Sequence, residues 1–438
     1  MDISLIQGSA TIVLNGTGAV PPLRAGRIDL SERGSAVVEC ALDGTPVQIA
    51  AFQSAVEKAL ALGERYAKLP GENWAYLQIT LPDATVWTSP VLVGICEAVR
   101  PGAGGRMSGS QGLRIALTLE PYWESAALSD CPLSNRFGAY ISGGINADNH
   151  DDAGHDNWVS IAGNTVLGDV PAPTILTLSA APNGMELLLG QMVTSNVAGL
   201  ATVCEGEAAS GSTGVTASAS ADAACSGGWY LGVSWSGAGA VTPAYWVLAN
   251  MADFAGRIYR PVARLRDLVA GGEKLYLWWR AAYWNGSSNE TIQDYEGIVA
   301  PTDRKLLVFP PMPIPPWPRP PQGFSWESLS LVLMCQAESA GAHALTLDFV
   351  QFLPTEGFLH LIPVISTIPY TLIRYDGGMN QITRSTSAGV THVPDGPGLW
   401  LYPGEQQKIL LLGQSASAMD INTLYTLRLQ YRLRKRVL

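Results

Sequence analysis

Ile49 to Lys68, IAAFQSAVEKALALGERYAK, followed by the alternating run Trp74-Ala-Tyr-Leu-Gln-Ile-Thr-Leu81, decides the fold class of the first third of the chain. Phe52, Val56, Ala59, Leu60 and Tyr66 fall on one side of a 3.6-residue repeat and make a stripe that can lie across a sheet. Pro70-Gly71 is expected to end the helix. Around it, Ala10-Thr-Ile-Val-Leu14, Gly34 to Leu42 and Val91 to Cys96 carry the β-branched, alternating content of half-buried strands. One helix on a sheet implies a small α+β unit.

The rest of the chain reads as β. A length of 438 residues exceeds one ordinary core and implies several domains. Strand patterns recur at Thr174 to Leu178, Trp229 to Trp235, Lys274 to Trp284, Leu329 to Cys335 and Leu345 to Leu353, with turn signals between them. They predict a jelly roll over 174–355. Tyr370 to Gly378, Leu399 to Gly404, Lys408 to Leu412 and Leu424 to Arg432 predict a C-terminal β-module over 356–438, either separate or completing the sheet of the first domain, which spans 1–173. The expected fold is thus mainly β: an α+β N-terminal domain, a jelly roll and a β-module.

Several segments invite a chemical reading and a bland one. Asp148, His150, Asp151, Asp152, His155 and Asp156 are cation-ligand types, but no register supplies both the Gly and the Glu of a calcium loop, so a hydrated turn is expected. Glu207 to Gly228 is small and polar, a surface loop or a strand pair of little side-chain mass. Pro310 to Pro321 holds eight prolines in twelve residues and is expected to be a rigid connection. The six cysteines show no C-x-x-C pair and are expected to be buried free thiols.

A net charge of −10 excludes a broad nucleic-acid or anionic-membrane surface. The basic end Tyr431-Arg-Leu-Arg-Lys-Arg436 reads as a solvated tail or a subunit contact. No apolar run has the length of a membrane span, and the N-terminus lacks a signal-peptide pattern, so a protein made in the cytoplasm is expected. There is no G-x-S-x-G elbow, phosphate loop, H-E-x-x-H or dinucleotide fingerprint, and no cofactor or catalytic residue is assigned.

Lys274 to Trp284 carries the candidate recognition surface. Alternation puts Leu275, Leu277, Trp279, Ala281 and Tyr283 on one face and Tyr276, Trp278, Arg280, Ala282 and Trp284 on the other. Because an Arg is rarely buried unpaired, the first face is expected in the core. Tyr276, Trp278, Arg280 and Trp284 then form an outer face for a sugar ring or a neighbouring subunit.

The helix ending in Glu64-Arg-Tyr66, the strand Tyr76-Leu-Gln-Ile79, the run Leu117-Thr-Leu-Glu-Pro-Tyr-Trp123, Asn157-Trp-Val-Ser-Ile161 and Gly168-Asp169 to Pro173 come in an order that resembles distal-tail and tail-tip (baseplate) proteins of long-tailed bacteriophages. That resemblance implies a virion tail protein made in the host cytoplasm. It implies a homo-oligomeric ring, commonly a hexamer, on the tail tube among other tail-tip proteins, with a projecting β-sandwich that contacts partners or host-surface glycan. No catalytic residue comes with it. The middle region resembles the galactose-binding-type jelly roll of carbohydrate-binding modules, with Cys204-Glu-Gly-Glu207 as opening and Leu345 to Phe352 as closing strand. It implies the alternative of a stand-alone glycan-binding protein; a glycan hydrolase is a third reading.

Overall fold

The computed structural model describes residues 1–30, 32–66, 74–99, 110–134, 145–147, 157–179, 185–194, 203–248, 254–270, 274–284, 289–314, 328–361, 372–384, 390–392, 394–415 and 425–438. The acidic loop at 148–156, the Pro-Gly at 70–71 and the later prolines at 315–321 lie outside them. The architecture is mainly β, with one α-helix among the described residues, as expected. No helix among these residues is long and apolar enough to cross a membrane.

The helix runs Pro46–Tyr66. Its start is a reciprocal cap: the Gln48 N–H donates to Thr45 Oγ1 at 3.3 Å and the Thr45 N–H to Gln48 Oε1 at 2.9 Å, with Pro46 in the first helical position. Ile49, Val56, Ala59 and Leu60 are buried, while Phe52 is only half-buried. The helix lies close against the sheet because two glycines let it: a Cβ at Gly63 would stand 2.4 Å from that of Ala75, and one at Gly94 2.5 Å from Leu60 Cδ2. The strand Val86–Val99 bends to serve two sheet segments, pairing with Ala75–Thr80 early and with Ser110–Leu119 late.

The expected boundary at residue 174 does not follow the pairing. Ala172–Ser179 pairs with Tyr425–Lys435 and Leu372–Asp376, and Met185–Val193 with Gln407–Ser415 and Gly357–Leu361. These strands form a sandwich around Leu176, Leu178, Leu187, Leu189, Leu411 and Leu429. The jelly-roll strands begin at Val203–Glu205 and end with Ala342–Pro354. The chain leaves the sandwich after Val193 and re-enters at Gly357, whose register partner, Gln191, lies two residues before Val193. The jelly roll is therefore an insertion whose ends meet, the geometry that lets a domain be added without breaking its host.

The basic end is not a tail. Tyr425–Lys435 is a central strand, held between Ala172–Ser179 on one side and Trp123–Asp130 on the other. Its charges meet acids of that neighbour: Arg428 pairs with Asp130 at 2.7 Å and Arg434 with Glu124 at 2.8 Å, and the Arg434 guanidinium lies 4.0 Å over the Tyr122 ring. The run Glu120-Pro-Tyr-Trp-Glu124 is thus the seam that joins the N-terminal sheet to the sandwich.

Within the jelly roll, a seven-stranded and a six-stranded sheet face each other across a core of Trp246, Tyr259, Leu277, Trp279, Leu333, Leu347 and Phe352. The small, polar tract of 207–228 supplies edge strands to both: Gly211–Thr213 pairs with Val241–Leu248 and Thr216–Ala221 with Trp229–Ser236. Met312–Pro313, from the proline run, pairs with Ile258 and Tyr259 at a sheet edge. The opening and closing strands are neighbours, with Cys204 opposite Val350.

Candidate functional site

The two outer faces of the jelly roll have different fates. That of the seven-stranded sheet is covered by the sandwich: Val262, Leu306, Phe349 and Leu353 pack with Trp158, Leu188, Phe358, Leu410 and Leu412. At the rim of this seam Arg257 donates to the Val193 carbonyl at 3.1 Å and Arg304 pairs with Glu186 at 3.4 Å, and within it the buried Gln351 donates to the Asn157 carbonyl at 3.2 Å. The outer face of the six-stranded sheet has no such cover among the described residues, and it carries the aromatic row.

In the strand Leu275–Trp284, Leu275, Leu277, Trp279, Ala281 and Tyr283 are buried, Tyr276 is exposed and Trp278, Arg280 and Trp284 are half-buried, whereas Ala282, expected on the outer face, is buried. Tyr276, 43% exposed, and Trp278 have ring centroids 5.4 Å apart with planes inclined by 31°. The Gly297 N–H donates to the Tyr276 hydroxyl oxygen at 3.3 Å, which fixes that ring. Beneath Trp278 lie Val332 and Met334, with Tyr245 against the same patch. Register puts Met334 beside Trp278, and Val332 between Arg280 and Tyr245.

Arg280 lies beside the ring pair, locked by two parallel bonds to Asp294: Nε to Oδ1 at 2.6 Å and Nη2 to Oδ2 at 2.9 Å. Those bonds hold the Asp294 carboxyl below the usual carboxylate range against the burial that would raise it, with the Trp278 indole adding a smaller pull in the same direction. The Arg280 pKa moves up for the matching reason. Trp284 stands apart, two register steps beyond Arg280 and roughly 14 Å from it along the strand. The structure thus brings Tyr276, Trp278 and Arg280 together and leaves Trp284 at the far end.

Sequence reasoning missed Asp294, Tyr245 and Met334. The signal was present in the alternation of Tyr245 and Val247 against the buried Ala244, Trp246 and Leu248. It could not be used before the pairing of those strands with Leu275–Trp284 was known. The arrangement offers two inclined ring faces, an apolar floor and a neutralised ion pair with polar edges, which suits an uncharged polyhydroxylated ligand.

Other concave places are poorer. A cavity of about 390 Å³ is lined by Ser234, Asp267, His343 and Thr346, but His343 Nε2 is already 2.9 Å from the Ser339 carbonyl and Asp267 is bound to Arg266. Among the described residues, no three His, Cys, Asp or Glu side chains converge as metal ligands would. None of the six cysteines forms a disulfide; five are buried, and Cys96, half-buried, departs from the expectation.

No family model matches the chain. No curated protein matches it either. Among solved structures, the N-terminal CBM22-1 and CBM22-2 tandem domain of Paenibacillus barcinonensis Xyn10C is a distant and partial match at 13% identity, covering 58% of this chain and 99% of that one, with a TM-score of 0.23. An overlap that loose says nothing about what this chain binds.

Proposed function

We propose that the jelly roll is a glycan-binding module and that Tyr276 and Trp278 are its stacking platform, with Arg280 and Asp294 meeting sugar hydroxyls. The observation that carries this reading is the pairing of a sheet face uncovered among the described residues, bearing two rings 5.4 Å apart, with an opposite face buried against the sandwich. Sugar rings present apolar C–H faces to aromatic faces and hydroxyls to charged edges, and this face supplies both. Because Arg280 and Asp294 cancel each other, the ligand class is neutral polysaccharide.

Binding of the full chain to insoluble neutral polysaccharides tests this. Trp278→Ala should weaken retention by about 1 kcal/mol, roughly fivefold, and Tyr276→Ala together with it by more. Unchanged retention of the double variant, or no retention of the parent on any neutral polysaccharide, refutes it. The tail-tip reading is kept as a second proposal. It is favoured by the helix-on-sheet N-terminal unit and by the seam at Glu120 to Glu124, where the motif that resembles tail-tip proteins anchors the far end of the chain. In that setting the aromatic face would meet host-surface glycan. Electron micrographs of the purified protein without rings, and of virions without it, would overturn that proposal and leave the glycan-binding one standing.

A further inference from the structure

The N-terminal unit has an outer sheet face of its own, on four strands in the order Leu23–Asp29, Ser35–Asp43, Ser110–Leu119 and Val86–Val99. One side of it packs inward through Val38, Cys40, Leu113, Ile115 and Leu117. On the other, one row across the strands reads Arg27, Glu39, Arg114, Glu97, each opposite the next in register and each exposed. The charge sequence is plus, minus, plus, minus. The adjacent row reads Ala25, Ala41, Gly112, Val99; a groove of about 490 Å³ lies over its three small residues with Arg24, Arg27, Glu39 and Asp43 also lining it, and the valine of the row is 49% exposed. The row on the other flank reads Asp29, Val37, Ala116, Ile95, with Ile95 57% exposed.

We infer that this face pairs with the same face of a second copy of the chain, about a two-fold axis parallel to the strands and between the second and third of them. The charge row selects that axis. Turning a copy about it lays the first strand over the fourth and the second over the third, so Arg27 meets Glu97 and Glu39 meets Arg114, twice over. A two-fold along the row would place like over like. The same turn lays Val99 over Ala25 and Ala41 over Gly112, seating the exposed valine of each copy in the small-residue groove of the other. Val37 meets Ala116, and Ile95 lies over Asp29 at the sheet edge, where the carboxylate stays in the rim. Sheets packed face to face stand about 10 Å apart, within reach of Arg and Glu side chains.

Strand spacing and length give a patch on the order of 400–500 Å² from each copy. That is below the roughly 1,200 Å² total of a stable interface, so the dimer is reversible and concentration-dependent. Exposed ion pairs are screened by salt, so it weakens as ionic strength rises. The contact is independent of the glycan-binding reading, because it lies on a different unit of the chain.

Sedimentation equilibrium of the full-length protein over a wide concentration range tests it. The parent should dimerise reversibly at low salt. Glu39→Arg alone, or Arg114→Glu alone, turns two of the four facing pairs into like charges and should raise the dissociation constant at least about tenfold. Combining the two restores every facing pair and should restore dimerisation, although within the sheet it creates like-charge neighbours that slightly lower thermal stability. That opposition separates association from an effect inside one sheet. A parent that stays monomeric at all concentrations, or a dimer indifferent to both single reversals, or a combined variant no better than either, overturns the inference. A protein that dimerises only through another surface falls under the second outcome.

Discussion

Replacing Asp348 with Ala should damage the jelly roll more than any exposed change on it. Asp348 and Arg264 are both fully buried, 2.8 Å apart, on the neighbouring strands Ala342–Pro354 and Ile258–Leu265. Arg264 also donates to the Ala224 carbonyl at 3.1 Å, and Asp348 accepts the Ser226 N–H at 2.9 Å, so the pair clamps the small-residue tract to the closing strand. Removing the carboxyl leaves a buried guanidinium that cannot shed its proton, which costs about 3–5 kcal/mol, and an unmet N–H adds about 1 kcal/mol. For a domain of this size that is a fall in melting temperature of roughly 8–24 °C.

Burial pushes the Asp348 carboxyl up to about 7 from 3.8, with Arg264 pulling the other way and losing. The unfolded chain ionises near 4, so between about pH 4 and 7 the folded state binds more protons and stability falls as pH rises, by up to about 4 kcal/mol. The benefit is whole below pH 4 and gone above 7. Asp348→Asn keeps an acceptor for Arg264 but cannot titrate, so its melting temperature should lack that slope. Calorimetric scans across this pH range check both claims. A shift under 2 °C for Asp348→Ala, or the same slope in Asp348→Asn as in the parent, would refute the reasoning.

Two further outcomes follow from burial and from the seam. Burial lifts the thiols of Cys40, Cys131, Cys204 and Cys225 to about 12 and that of Cys96 to about 11, so thiolate is scarce at pH 8. Alkylation of the native protein should be at least about a hundredfold slower than in denaturant, and rapid native labelling of these five would contradict their placement. Arg434→Ala removes the contacts to Glu124 and Tyr122, and should cost about 2–3 kcal/mol. Amide exchange should then speed up in both Trp123–Asp130 and Ala172–Ser179; acceleration in one alone would show that Tyr425–Lys435 does not couple the two units.

Local periodicity was readable in the sequence and long-range pairing was not. The helix stripe and the two faces of Leu275–Trp284 follow from repeats of 3.6 and 2.0, which a single segment carries by itself. The pairing around residue 174 was not readable because the alternation of Ala172–Ser179 marks which face is buried and names no partner strand. Its partner lies some 250 residues on. The basic end failed differently. Leu427, Leu429, Tyr431 and Leu433 alternate with Arg428, Gln430, Arg432 and Arg434, a strand pattern with one charged face. Four charges in six residues read as solvated, whereas Glu124, the acid that two of them meet, Arg432 and Arg434, sits some 300 residues earlier.

Arginine shows where the same rule succeeds and where it needs its second half. The face of Leu275–Trp284 bearing Arg280 was placed outward because a lone guanidinium is costly to bury, and the strand does turn it outward, to Asp294. Arg264, on a strand that carries a second arginine, is buried completely. The difference is the partner: register sets Arg264 diagonal to Asp348, opposite Phe349, so that the guanidinium enters the interior with a carboxyl oxygen 2.8 Å away. An arginine's side of a sheet is therefore decided by which acid its neighbouring strand delivers. In this chain one such delivery closes the jelly roll, and the other keeps a guanidinium beside two aromatic rings on its free face.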